Sequence, residues 1–110
     1  MKLTFIELPP FERFRTENLS DDDYRAFQNE LLENPEKGDL IQGLGGLRKI
    51  RIADKFRQKG KRGGIRAIYY YYVSREQIYL LAAYGKDQQQ DLNETQRKNL
   101  LVILERIKQL

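Results

Sequence analysis

The sequence predicts an α+β protein in which helices flank an antiparallel sheet, and three observations lead to that fold class. Four segments show the alternation or the β-branched content of strands. Three other segments carry apolar residues at helical spacing, and the order of all seven along the chain is βααβββα. The last three strands are joined by a hairpin connection and a turn, so we expect an antiparallel meander. A length of 110 residues suits one domain, which we place at residues 1–110.

The first half of the chain is predicted to form one strand and a helical hairpin. Residues 3–8 alternate as in a strand and end at two consecutive prolines, of which Pro10 suits the first turn of a helix. Ser20 resembles an N-cap, and the three acidic residues after it suit the start of a second helix. Pro35 ends that helix, and residues 35–46, with four glycines, are predicted to be a loop.

The second half contains three predicted strands, at residues 47–53, 65–73 and 78–85. A segment rich in Gly, Lys and Arg connects the first two, and a turn connects the last two, at residues 58–64 and 74–77. Asn93, with Gln96 at the spacing of a capping box, begins the final helix. The stripe of this helix that is expected to be buried consists of Leu100, Leu101, Leu104 and Ile107.

The composition excludes several classes of chemistry. The chain has no cysteine, so disulfides, thiolate catalysis and Cys-ligated metals are absent, and it has no histidine, so imidazole-dependent catalysis is absent too. No apolar stretch reaches the length of a membrane span, and no signal peptide follows Met1. We therefore expect a cytoplasmic protein without a metal, a cofactor or a membrane partner.

The charge is distributed very unevenly along the chain. Residues 1–46 carry five basic and ten acidic side chains, whereas residues 47–66 carry nine basic side chains and one acidic side chain. Such a concentration of cations creates a strong local positive potential, which favours a polyanion as partner. The alternative is a solvated basic loop, the more common meaning of a short Lys/Arg run.

Part of this basic run lies in a predicted strand, where alternation sorts the side chains by face. Lys49 and Arg51 share one face, and Arg48 lies on the other. Arg66 begins the next strand of the hairpin, so three cations are expected to converge on one patch of sheet, with further cations around its rim at Lys61, Arg62 and Lys86. Alternatively, Lys49 and Arg51 pair with acidic residues of the first half.

Four consecutive tyrosines, residues 69–72, must point alternately to the two faces of their strand. Tyr70 and Tyr72 share the face of Arg66 by parity and are candidates for stacking on bases. Tyr84 is a similar candidate, although a place in the core is the default for each of these rings.

Four segments together resemble the HigB-like toxins of the RelE/ParE superfamily: GLRKIRI (46–52), KRGGIRAIYY (61–70), YGK (84–86) and DLN (91–93). The resemblance extends over essentially the whole chain and implies a RelE-like fold. It also implies a bacterial type II toxin, an endoribonuclease that enters the ribosomal A site and cuts mRNA during translation. The implied partners are the ribosome, mRNA and a cognate antitoxin, HigA-like with a helix-turn-helix domain.

The resemblance also implies roles for particular residues. The strand cations of the family fall on Lys49 and Arg51, and its phosphate-contacting arginine falls on Arg66, which makes these three the candidate catalytic residues. The chain has Asp87 where the prototype RelE has a second arginine, and Asn93 where the prototype has a tyrosine. The candidate RNA-binding residues are Arg48, Lys61, Arg62, Tyr70, Tyr72, Tyr84 and Lys86.

The expected reaction is attack of an RNA 2′-hydroxyl group on the adjacent phosphate. Arg51 and Arg66 would stabilise the phosphorane. Lys49 is a candidate base, because like charges around an amine favour its neutral form. Two other functions remain open: a ParE-like poison of DNA gyrase, and an RNA-binding module without catalysis.

Overall fold

The computed structural model describes residues 2–52 and 64–110, and this part of the chain forms a five-stranded sheet with three helices. The strands are β1 (Thr4–Glu7), β2 (Asp39–Leu40), β3 (Arg48–Ile52), β4 (Ile65–Tyr72) and β5 (Gln77–Gly85). The helices are α1 (Pro9–Asn18), α2 (Asp21–Glu33) and α3 (Glu94–Lys108). The α+β class is confirmed. The predicted connection at 58–64 lies outside the described residues except for Gly64.

The sheet has the strand order β1-β5-β4-β3-β2. Strands β3, β4 and β5 form the predicted antiparallel meander. Strand β1 instead pairs in parallel with β5, so the sheet is mixed and not purely antiparallel. Parallel neighbours need a long crossover connection, and here the helical hairpin and three strands lie between the two partners.

A short strand occupies part of the segment that the sequence predicted to be a loop. Asp39 pairs with Lys49 and Leu40 with Arg48, which makes β2 the edge of the sheet beside β3. Two residues are too few to show alternation, so the sequence pattern gave no signal for this strand.

The sheet separates two apolar cores. Helices α1 and α2 cover one face, where Phe11, Phe27 and Ile50 are among the buried side chains. Helix α3 covers the other face through Leu100, Leu104 and Ile107, which are buried as predicted, whereas Leu101 is only partly buried. Since Ile50 and Ile52 point to the α1/α2 face, their neighbours Lys49 and Arg51 point to the α3 face.

Both predicted N-caps are present. The Ser20 hydroxyl group accepts a hydrogen bond from the backbone N–H of Asp23 at 3.0 Å, which caps α2. Asn93 and Gln96 form the complete capping box of α3. Within the described residues, none of the helices has both the length and the apolar character needed to span a bilayer.

Candidate nucleic-acid interface

Three of the predicted cations lie on the face of the sheet that α3 covers. Arg51 is directly opposite Arg66 in the β3–β4 ladder, and Lys49 lies two residues along β3. Directly opposed like charges repel each other across a pair of strands. A bound anion would relieve this repulsion, so the arrangement suits a phosphate group.

The guanidinium group of Arg66 has a buried donor. Its Nη1 atom is inaccessible to solvent and has no hydrogen-bond acceptor among the described residues. A buried N–H group without an acceptor costs about 1–3 kcal/mol, and such groups are rare in folded proteins. An anionic oxygen is one kind of group that would satisfy such a donor.

A glycine lets the two arginines approach the backbone at the start of β4. Gly64 has a φ angle of 152°, which other residues rarely adopt. A Cβ atom there would lie 3.2 Å from both Arg51 Nε and Arg66 Nη1. Any larger residue at position 64 would therefore displace the paired guanidinium groups.

Lys49 has a carboxylate partner, Asp91, which the sequence analysis named within the DLN segment without giving it a role. Lys49 Nζ lies 3.5 Å from Asp91 Oδ1, and the same oxygen accepts the backbone N–H of Leu92 at 2.7 Å. The N–H of Leu92 lowers the pKa of Asp91, and the charge of Lys49 acts in the same direction. The predicted role of Lys49 as a base assumed that its neighbours are cations. In the structure, a carboxylate also lies beside its amine.

A cleft of about 450 Å³ opens beside this ion pair. It is lined by Lys49, Asp91, Arg97 and residues 39–42. Arg97 Nη2 donates a hydrogen bond to the carbonyl oxygen of Gln42 at 2.6 Å, which fixes the guanidinium group on one wall. The volume lies in the range of sites for small ligands. Of the three cations, Lys49 lines the cleft.

Tyr84 lies beneath the cations and belongs to the core. It is opposite Arg66 in the β4–β5 ladder and only 6% exposed, so its ring has no open face on which a base could stack. Its hydroxyl group is buried without a hydrogen-bond partner in the described part of the chain. Burial raises the pKa of Tyr84, and Asp91 adds to that effect while Arg66 opposes it.

Tyr70 and Tyr72 share the face of Arg66 but lie farther along β4. A rise of about 3.3 Å per residue places Tyr70 about 13 Å from Arg66. The Tyr72 hydroxyl group donates to the carbonyl oxygen of Lys108 at 3.3 Å, and Lys108 Nζ lies 5.8 Å from the centre of the Tyr70 ring. Both rings are half-buried against the end of α3, and along β4 they lie away from Arg66.

The remaining predicted residues have different positions. Arg48 points to the opposite face of the sheet, where Nη1 donates to the carbonyl oxygens of Glu36 and Gly38 at 3.0 and 2.7 Å. Lys86 is exposed, and its backbone N–H donates to the carbonyl oxygen of Gly64 at 2.9 Å, next to the paired arginines. Lys61 and Arg62 lie outside the described residues.

Asp87 and Asn93 are the two positions at which the sequence departs from the pattern that it resembles. Asn93 uses its side-chain oxygen to accept the backbone N–H of Gln96 at 2.8 Å, so it is occupied as the cap of α3. Asp87 is exposed just after β5. Over residues 2–52 and 64–110, no three His, Cys, Asp or Glu side chains are grouped as ligands for a metal ion.

Comparison with solved structures finds proteins of similar fold. No protein-family model matches the sequence. The structure is similar to that of the E. coli toxin RelE, solved in the free state as a mutant with two arginines changed to alanine. The TM-score is 0.58 at 13% sequence identity, and the match covers 82% of this chain and 90% of that chain.

The chain has the RelE fold. At 13% identity the similarity establishes the fold alone, and it confirms the RelE-like fold that the sequence predicted. Within the RelE-like fold, the α3 face of β3 and β4 carries Lys49, Arg51 and Arg66.

Proposed function

We propose that the protein is the toxin of a type II toxin–antitoxin system, a HigB-like endoribonuclease that cleaves mRNA in the ribosomal A site without a metal ion. The observation that carries the proposal is the opposed pair of Arg51 and Arg66, with Lys49 on the same face and a buried donor of Arg66 that lacks an acceptor among the described residues. The RelE fold supports the same function.

The proposed chemistry is transesterification. The 2′-oxygen attacks the adjacent phosphorus, the bond to the 5′-oxygen breaks, and the products are a 2′,3′-cyclic phosphate and a 5′-hydroxyl end. Negative charge accumulates on the phosphoryl oxygens in the transition state, so fixed cations at that position lower the barrier. Arg51 and Arg66 bind these oxygens, while Lys61, Arg62 and Lys86 contact the RNA backbone and fix its position.

The ribosome contributes positioning. In-line attack requires a particular geometry of three atoms, and holding the message in that geometry removes an entropic part of the barrier. An antitoxin partner, HigA-like with a helix-turn-helix domain, belongs to the same proposal and would control the toxin in the cell.

The experiment is to map the 5′ ends of transcripts after brief induction of the wild-type protein and of Arg66→Ala. We expect cuts within translated codons for the wild type and a loss of at least about 10²-fold for Arg66→Ala, because the phosphorane loses a donor. Arg25→Ala is the matched control, since Arg25 is an exposed arginine of α2, on the other side of the sheet. It should cut like the wild type.

Three outcomes would contradict the proposal. DNA breaks without cut transcripts would indicate a ParE-like gyrase poison. RNA binding without cleavage in a translating extract would indicate a binding module. Fragments that carry 5′-phosphate ends would exclude attack by the 2′-hydroxyl group.

A further inference from the structure

The proposed cleavage needs a group that accepts the proton of the 2′-hydroxyl, and the chain offers few. It has no histidine and no cysteine. The arginines remain charged at any physiological pH. Of the seven tyrosines, the one opposite Arg66 is Tyr84; it is buried, and burial raises its pKa, so it keeps its proton. Carboxylates and lysines are the groups that remain.

Asp91 is a carboxylate in contact with Lys49, one of the three cations. Its Oδ1 atom is held by Lys49 Nζ at 3.5 Å and by the Leu92 N–H at 2.7 Å. These two contacts orient the group, and none of the hydrogen bonds found within the described part of the chain engages Oδ2. The side chain is 67% exposed at the wall of the cleft, so RNA can reach it.

We propose that the carboxylate of Asp91 is the base that accepts the proton of the attacking 2′-hydroxyl group. This inference rests on the proposed function, because it assigns a step of that reaction. In this assignment Lys49 orients Asp91 through their ion pair and supplies positive charge beside the phosphate.

The step is balanced without a further reactant. The 2′-proton moves to Asp91 Oδ2 as the bond between the 2′-oxygen and phosphorus forms. The bond from phosphorus to the 5′-oxygen then breaks, and water protonates the departing oxygen. Asp91 returns its proton to solvent, so the net result is transfer of one proton from the 2′-oxygen to the 5′-oxygen.

The charges that face Asp91 determine the pH dependence. Lys49 on β3 and Arg97 on α3 favour its ionised form, as does the N–H of Leu92, while Tyr84 on β5 is neutral. The pKa of Asp91 lies below its ordinary value of 3.8, so the base is fully available at neutral pH. The rate of cleavage is therefore flat between about pH 6 and pH 8, whereas a lysine base would make it rise with pH.

The test is single-turnover cleavage of a short message on purified ribosomes by the wild type, Asp91→Asn and Asp22→Asn. Asparagine keeps the size of the side chain and the acceptor for Leu92 but removes the base. We expect a loss of about 10²- to 10⁴-fold for Asp91→Asn, without weaker binding to programmed ribosomes. Its residual rate should rise about tenfold per pH unit, because hydroxide must replace the carboxylate. Asp22, exposed on α2, is the control and should leave the rate unchanged.

Several results would overturn this assignment while the proposed function stands. One is wild-type cleavage that rises about tenfold per pH unit between pH 6 and pH 8; this measurement holds even if Asp91→Asn fails to fold. Another is cleavage by Asp91→Asn at the wild-type rate. A third is a slower cleavage rate for Asp39→Asn together with an unchanged rate for Asp91→Asn, since Asp39 is the other carboxylate that lines the cleft. If the wild type itself does not cut the message, the proposed function fails and not only this step.

Discussion

A single hydroxyl group fixes the loop that leads to the cations. Tyr69 is fully buried in β4, and its hydroxyl group donates to the carbonyl oxygen of Pro35 at 2.8 Å and accepts the N–H of Gly38 at 2.9 Å. Burial raises the pKa of Tyr69, which keeps the donor protonated. Gly38 directly precedes β2, so this contact sets where β2 meets β3 at Lys49.

We predict that Tyr69→Phe lowers the free energy of unfolding by about 1–3 kcal/mol, because the Gly38 N–H and the Pro35 carbonyl group both lose a buried partner. Urea denaturation measures the change. Tyr72→Phe is the control: its hydroxyl contact at 3.3 Å is exposed, so its effect should stay within about 0.5 kcal/mol. Equal losses for the two variants would show that the buried hydroxyl group is not what stabilises the loop.

The residues of the site differ in how well the sequence could predict them. Parity alone placed Lys49 and Arg51 on one face, because side chains alternate along any strand. Asp91 was named only as part of the DLN segment and received no role, because it follows the last strand, where no periodicity applies, and because acidic partners for Lys49 and Arg51 were expected in the first half of the chain. The available signal was its position two residues before the N-cap Asn93, which brings the start of α3 and its flanking residues to the site.

At the scale of elements, α3 depends on its capping box. The side chain of Asn93 accepts the Gln96 N–H at 2.8 Å, and the Gln96 side chain accepts the Asn93 N–H at 3.0 Å. The first turn of α3 begins three residues after Asp91 and contains Arg97, so the cap also positions two residues of the cleft.

We predict that Asn93→Ala lowers the free energy of unfolding by about 0.5–2 kcal/mol, because a backbone N–H at the start of α3 loses its acceptor. Asn93→Asp should be close to neutral or slightly stabilising, since a carboxylate also caps and suits the positive end of the helix dipole. Thermal unfolding of the three proteins checks both expectations. A loss as large for aspartate as for alanine would contradict the capping explanation.

The elements that the sequence predicted well have strong local signals. The caps of α2 and α3 are specific short patterns, and the tyrosine-rich run of β4 can hardly form anything but a strand. The position of β1 beside β5 was not predictable, because strand partners distant in sequence leave no local pattern. Strand β2 was missed because its two residues are held by β3 and not by their own preference.

At the scale of the whole molecule, the two sides of the sheet carry opposite charge. Helices α1 and α2 hold seven acidic side chains, at Glu12, Glu17, Asp21, Asp22, Asp23, Glu30 and Glu33. The cations Lys49, Arg51 and Arg66 lie on the other side. Such a field repels RNA from one side and attracts it to the other, so it orients the encounter as well as strengthening it.

We predict that the logarithm of the association constant for a single-stranded RNA falls with the logarithm of the salt concentration with a slope of about −2. Each phosphate that a cation neutralises contributes about −0.7 to this slope, and three cations are available. Arg66→Ala should reduce the magnitude of the slope by about 0.7, since one contact is lost. Fluorescence anisotropy at several salt concentrations measures both values. Arg25→Ala should keep the wild-type slope, and a slope that does not respond to Arg66→Ala would place the RNA elsewhere.

The parallel pairing of β1 with β5 has a consequence for how the chain is made. Thr4 lies beside Gln77, so the first of the described strands can pair with its neighbour only after the last of them has been synthesised. Closing so long a stretch of chain is slow, because its entropic cost precedes any gain from pairing. The newly synthesised polypeptide therefore completes this sheet only after the ribosome that made it has passed the codons for β5.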